Sequence, residues 1–257
     1  MEAKDFATLI LSSESIETKL FVPDLITDLN PGLPILWQEP SRVPSMKFSK
    51  RGHKDKLPKN NFHIDDNRAI CLHRFAGHEL LAVEIMAFAL LAFPNAPKNF
   101  RKGLIHTLLE EQEHVRLYQK ELKRFNVELG DMPLYKHFWK LTPYMTSISH
   151  YVSIMSLTFE MANLDFAPYY GNIFKSVGDE SSSQLMDKIY QDEISHVAFG
   201  YGWLKKENKS SNCFHEKWLD HLPDLIEPKR AKGPLFNPEG RKKAGLKEDY
   251  ILFLKEL

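Results

Sequence analysis

Two short strings contain residue types at spacings that could do chemistry: Glu110-Glu111-Gln112-Glu113-His114 and Asp192-Glu193-Ile194-Ser195-His196. Each holds Glu-x-x-His within a stretch that reads as a long helix. Positions i and i+3 of a helix share a face, so Glu111 and His114 point the same way, as do Glu193 and His196. A carboxylate and an imidazole turned together into a core are costly to bury unless something binds them. Two further glutamates stand upstream at matching distances. Glu79 lies 32 residues before Glu111, and Glu160 lies 33 before Glu193. Four carboxylates and two imidazoles, arriving as one unit repeated after 81 to 82 residues, suit iron or manganese. The expected ligands are Glu79, Glu111, His114, Glu160, Glu193 and His196, holding two metal ions.

Several neighbours compete for roles. Only Glu111 of the first acidic cluster stands three before His114, which leaves Glu110 and Glu113 as candidates for a solvated helix face. Glu110 and Asp192 each precede a ligand glutamate and could instead accept the second N–H of a metal-bound imidazole, Glu110 from His196 and Asp192 from His114. Glu84 and Asp165 sit five residues after Glu79 and Glu160, about 500° around a regular helix, so they share the ligand face only if a π-bulge intervenes. Glu84 is thus a rival to Glu79. His73 and His78 read as core or supporting histidines. Tyr118, Tyr151 and Tyr169 read as core packing, with a redox role as the alternative.

Four helices must position these residues. The first starts after Asp65-Asp66, acids that suit a helix amino terminus, and ends at Phe93-Pro94. The second runs from about Lys98 to Phe125. A connection rich in aromatic residues, 126–143, precedes a third helix over about 144–169 with Pro168 near its end. A corner over 171–178 leads to the fourth helix, about 181–206. Glu79 and Glu111 average to position 95, inside the corner Pro94 to Pro97, and Glu160 and Glu193 average to 176.5, inside the second corner. In antiparallel hairpins, facing residues are equidistant from the turn, so all four glutamates fall at matching depths.

Six of the fifteen prolines fall between Pro23 and Pro58, which favours an extended amino-terminal arm over residues 1–60, with a short helix or strand within Leu9 to Phe21. The bundle then occupies 61–207, and 208–257 reads as a carboxy-terminal wrap ending in a short helix over about 248–254. Lysine plus arginine equals aspartate plus glutamate, 34 each in 257 residues, so no global field favours nucleic acid or membrane. The basic run Lys47 to Lys59 reads as solvated surface. Two cysteines build no disulfide framework and no Cys-x-x-Cys site, which fits a reducing compartment. No run approaches the ~20 apolar residues of a membrane span, so a cytoplasmic location is expected.

The strings Leu72-His-Arg-Phe-Ala-Gly-His-Glu-Leu-Leu-Ala-Val-Glu84, Phe159-Glu-Met-Ala-Asn-Leu-Asp-Phe-Ala-Pro168 and Asp192-Glu-Ile-Ser-His-Val-Ala-Phe-Gly-Tyr-Gly-Trp203 resemble the ferritin-like family catalogued as domain of unknown function 455, as does the tail Phe236-Asn-Pro-Glu-Gly-Arg-Lys-Lys-Ala-Gly245. One departure is Glu110-Glu111-Gln112-Glu113-His114, where the family pattern has Asp-Glu-Ala-x-His. The resemblance implies an all-α, ferritin-like four-helix bundle with a long crossover between the second and third helices, and a dinuclear metal site. The chemistry expected of that site is a di-iron, or manganese-containing, oxidase or oxygenase reaction on a small-molecule substrate with O₂ and an external reductant. Metal storage with ferroxidase activity, or hydroxylation of modified tRNA, are the alternatives.

Overall fold

In the computed structural model, which describes residues 1–49, 56–207 and 213–257, the regular structure is helical, and the described residues hold no strand beyond two isolated bridges. The chain divides into two compact units, Met1–Thr142 and Pro143–Leu257, each built around one long helical hairpin. Part of the basic run, 50–55, lies outside the described residues.

The first unit opens with α1 (Ala3–Ser12) and α2 (Ile16–Lys19). The arm expected to be extended therefore begins as a helix. Ala3, Phe6, Ala7, Ile10 and Leu11 form a helical apolar stripe, and it is buried against α3 (Asp65–Ala92). Asp65 and Asp66 lie in the first turn of α3, as expected from their charge. The corner 93–97 then leads into α4 (Lys98–Lys123), which packs along α3. Arg101 closes the corner. Its guanidinium donates to the Leu90 and Phe93 carbonyls at 2.8 and 2.9 Å, groups that the helix end leaves without intrahelical partners, and binds Asp28 at 2.6 Å.

Helix α3 corrects the expectation about membrane spans. By length and composition it is apolar enough to cross a membrane, but 83% of its most apolar window is buried inside the protein. It is hydrophobic on nearly every side because α1, α4 and the crossover all cover it. The crossover approaches very closely: a Cβ added at Gly77 would stand 2.7 Å from Leu134 Cδ2. His73 holds the same loop by accepting the backbone N–H of Gly130 at 3.0 Å and of Met132 at 3.4 Å. Burial pushes the His73 pKa down to about 4, so the ring stays neutral and able to accept. Trp139 lies edge-on to Phe88 and donates to the Gln38 carbonyl at 2.8 Å, tying crossover to arm.

The second unit departs from expectation in its third helix. The helical run starts at Ile148, capped by Ser147, and continues to Ser176 as α5 (Ile148–Ile154), a π-helical turn (Met155–Glu160) and α6 (Met161–Ser176). The corner is the short stretch 177–179, not 171–178. Gly178 there has φ +81°, and Asp179 caps the first turn of α7 (Glu180–Glu207) through Ser182. Gly171 lies inside α6 for a packing reason, since a Cβ there would stand 3.2 Å from Met186 Cβ on α7.

Two defects in this long helix are repaired by the carboxy-terminal wrap. The π turn displaces the ladder around Ser153, whose carbonyl accepts from Thr158 Oγ1 at 2.7 Å and from the buried indole of Trp218 at 3.2 Å, on α8 (Phe214–Asp220). Pro168 removes the N–H that would bond Leu164, and the Asn237 side-chain amide donates to that carbonyl instead at 3.2 Å. Asn237 also caps α9 (Pro238–Lys243), after which α10 (Glu248–Glu256) ends the chain near the expected position.

Candidate metal centre

Helix α3 carries two buried acids, Glu79 and Glu84, about 140° apart around the axis. The rivalry between them resolves through their surroundings. Glu84 faces the arm, where its carboxylate meets Lys19 Nζ at 3.1 Å and Arg42 Nη2 at 2.5 Å. Glu79 faces α4, where one ligand-type atom each from Glu79, Glu111 and His114 lie within 4.8 Å of one another, all three residues being buried. Within that group His114 Nδ1 stands 3.3 Å from Glu111 Oε2.

The second hairpin repeats the division. Glu160, at the end of the π turn, brings a carboxylate oxygen within 4.8 Å of a His196 ring nitrogen, and His196 Nδ1 stands 3.4 Å from Glu193 Oε2. All three are buried. Asp165, five residues after Glu160, turns to the carboxy-terminal wrap. There it binds Arg241 in a two-pronged pair at 2.7 and 3.0 Å and accepts the N–H groups of Gly233 and Asn237. The π turn lies before Glu160, not between Glu160 and Asp165, so the two acids keep different faces. In each unit the first acid goes to a Glu/His cluster and the second anchors a terminal segment through arginine.

Donor geometry agrees with metal binding in both clusters. Two donors each ~2.1 Å from a shared ion, at a tetrahedral or right-angled spread, stand about 3.0 to 3.4 Å apart. The two His–Glu separations, 3.3 and 3.4 Å, fit that range. Carboxylate and imidazole donors together suit a divalent transition metal.

Neighbouring residues take more definite roles than their types announced. Asn163, three after Glu160 and so on its face, donates to Glu193 Oε1 at 2.8 Å and fixes that carboxylate's orientation. Gln112 donates to the Lys19 carbonyl at 2.6 Å, while Arg116 donates to the Leu20 carbonyl. Both secure the arm to α4 beside Glu111. Gly200 permits the closest approach in the second unit, since a Cβ there would stand 2.2 Å from Ser156 Cβ, one turn from His196 and from Glu160. Glu110 lies 3.4 Å from His106 and Asp192 pairs with Lys188. Tyr118 and Tyr151 are buried in the core, and Tyr169 is half-buried edge-on to Tyr170. His78 packs against His137 and Phe138 of the crossover. A third grouping with metal-ligand chemistry, Cys213, His215 and Glu216 at the start of α8, lies nearer the surface and was not expected from the cysteine spacing.

A family profile described as protein of unknown function (DUF455) matches residues 10–252. No curated protein and no solved structure matches the chain.

Proposed function

We propose, from the premise that this chain belongs to the DUF455 family, that its two Glu/His clusters serve one dinuclear centre in a ferritin-like four-helix arrangement, and that the protein is a metal-dependent oxidase or oxygenase. What carries the reading is the repetition: two hairpins, each with a buried Glu-x-x-His facing a glutamate of the preceding helix. Four buried carboxylates bring four negative charges, the number that two divalent cations neutralise. Glu79, Glu111 and His114 would hold one ion, and Glu160, Glu193 and His196 the other, iron or manganese. When bound, such a metal pair would supply O₂-dependent, two-electron oxidation of a small-molecule substrate, with electrons from an external reductant.

The chain's own residues prepare the site. Buried helix walls exclude water, and Asn163 sets the open direction of the Glu193 carboxylate. Glu110 and Asp192 are proposed to accept the outer N–H of His196 and His114, fixing the tautomer that leaves the other nitrogen free to bind. Elemental analysis of protein purified without chelator tests the reading, with about two iron or manganese ions per chain expected. Glu111→Ala/Glu193→Ala should lose both. Full metal content in that double variant places the ligands elsewhere. Reduced protein should consume O₂ without mineralising iron; formation of a cage with an iron core would replace the reading by a storage function.

A further inference from the structure

We propose that Cys213, His215 and Glu216 form a further metal site, apart from the buried Glu/His clusters and selective for zinc. A sulfur, a ring nitrogen and a carboxylate oxygen, one from each residue, lie within 4.8 Å of one another. Cys213 immediately precedes α8, and the other two residues lie in its first turn. Cys213 and His215 are half-buried and Glu216 is exposed, so an ion reaches them from solvent without opening the core.

The donors are already gathered. Cys213 Sγ stands 2.9 Å from His215 Nδ1 and 3.1 Å from Nε2. Sulfur and nitrogen bound to one zinc ion at ~2.3 and ~2.1 Å stand about 3.1 Å apart at a right-angled spread and about 3.6 Å at a tetrahedral one. Similar distances to both nitrogens put the sulfur against the ring, so a change in side-chain torsions turns thiol and ring edge toward a common ion. Phe253 of α10 stacks on the ring at 4.1 Å and 12°, which leaves the nitrogen-bearing edge for a ligand. No helix role competes for the thiol, since Cys213 makes no side-chain hydrogen bond to the start of α8.

Donor chemistry selects the metal. The buried clusters offer carboxylates and imidazoles, whereas this one adds a soft thiolate, and sulfur with imidazole and a single carboxylate suits zinc. Three protein ligands leave the fourth tetrahedral position to water. Binding displaces the thiol proton to solvent and changes no oxidation state. Cys71 offers no such site: it is fully buried, and burial pushes its thiol up to about 12. An ion at Cys213 fixes the first turn of α8, the helix whose Trp218 donates to the Ser153 carbonyl. The inference is independent of the proposed function.

Cobalt(II), a spectroscopic stand-in for zinc, added to the reduced full chain tests it. A near-ultraviolet thiolate-to-cobalt charge-transfer band is expected, saturating at micromolar cobalt and bleached by zinc. Sulfur alone gives this band, so the Glu/His clusters are silent in it whatever they bind. Cys213→Ser should lose the band and bind one cobalt fewer per chain, His215→Gln and Glu216→Gln should weaken it, and Cys71→Ser should keep it. Should Cys213→Ser fail to fold, Glu216→Gln, a change at an exposed residue, carries the test with the same expected weakening. Absence of the band, its survival in Cys213→Ser or its loss in a folded Cys71→Ser overturns the proposal. So does an end point of one cobalt per two chains, or saturation only at millimolar cobalt, the mark of an adventitious ion.

Discussion

Gly200→Ala should destabilise the protein although alanine is the better helix former. The new Cβ would lie 2.2 Å from Ser156 Cβ, where carbon atoms normally rest ~3.5–4.0 Å apart. Neither atom can rotate away, because each is fixed to its helix backbone. Relief requires α7 and the π turn to separate by more than an ångström. Overpacking of this kind costs about 1–3 kcal/mol, and a rigid contact belongs at the upper end. Helix propensity returns about 1 kcal/mol, leaving a net loss of about 2 kcal/mol. For a chain of this size that lowers the melting temperature by roughly 4–8 °C. Gly202→Ala, two residues along the same helix with nothing within 4 Å of its added Cβ, should gain up to about 1 kcal/mol. Ser156→Gly in the Gly200→Ala background removes the opposing carbon and should recover most of the loss. Calorimetric melting of the four proteins measures all of this. A Gly200→Ala variant that melts at or above the wild type, or a double variant with no recovery, refutes the close-contact reasoning. Because the contact lies one turn from both Glu160 and His196, the same variant should bind less metal under the proposed function.

Glu79→Gln should reduce bound metal with little change in melting, whereas Glu84→Gln should keep its metal and lose about 3–5 kcal/mol, because Lys19 and Arg42 would remain buried without their carboxylate; metal analysis and melting of the pair separate the two acids. His73 is held at about 4 against an ordinary 6.5, so the unfolded chain takes up a proton that the folded ring refuses. Stability from this group is present above pH 6.5 and falls by about 3 kcal/mol as pH drops to about 4, so denaturant unfolding of chelated wild type should show a steeper decline across that window than His73→Gln. Asn163→Ala should weaken metal binding at Glu193 while leaving stability nearly unchanged, and an unaltered metal titration would remove Asn163 from the site.

The glutamate and histidine clusters were legible because their logic is local. Three residues along a helix is a fixed angle, and equal distances from a corner put Glu79 opposite Glu111 whatever else the chain does. The first corner lay where proline placed it, at 93–97. The second was misread because glycine has two uses: Gly178 turns the chain with a positive φ, and Gly171 admits Met186 against a helix that does not end there. Pro168 misled for a similar reason, since the residue that repairs its missing hydrogen bond, Asn237, lies far along the sequence.

The sequence by itself determined which residues could bind metal, that they repeat, and which helices carry them. Tertiary structure decided what every neighbouring residue is for. Glu84 and Asp165 have the same local spacing from Glu79 and Glu160 and are equally buried, yet both become anchors for the chain ends. Their partners, Arg42 and Arg241, stand 42 and 76 residues away. The Ser153 carbonyl at the π turn likewise gains a distant partner, Trp218, 65 residues along the chain, beside the local Thr158 hydroxyl. Helical periodicity is a property of adjacent residues and can be read from a string. Satisfaction of a buried charge or a displaced carbonyl is a property of whatever the fold brings beside it.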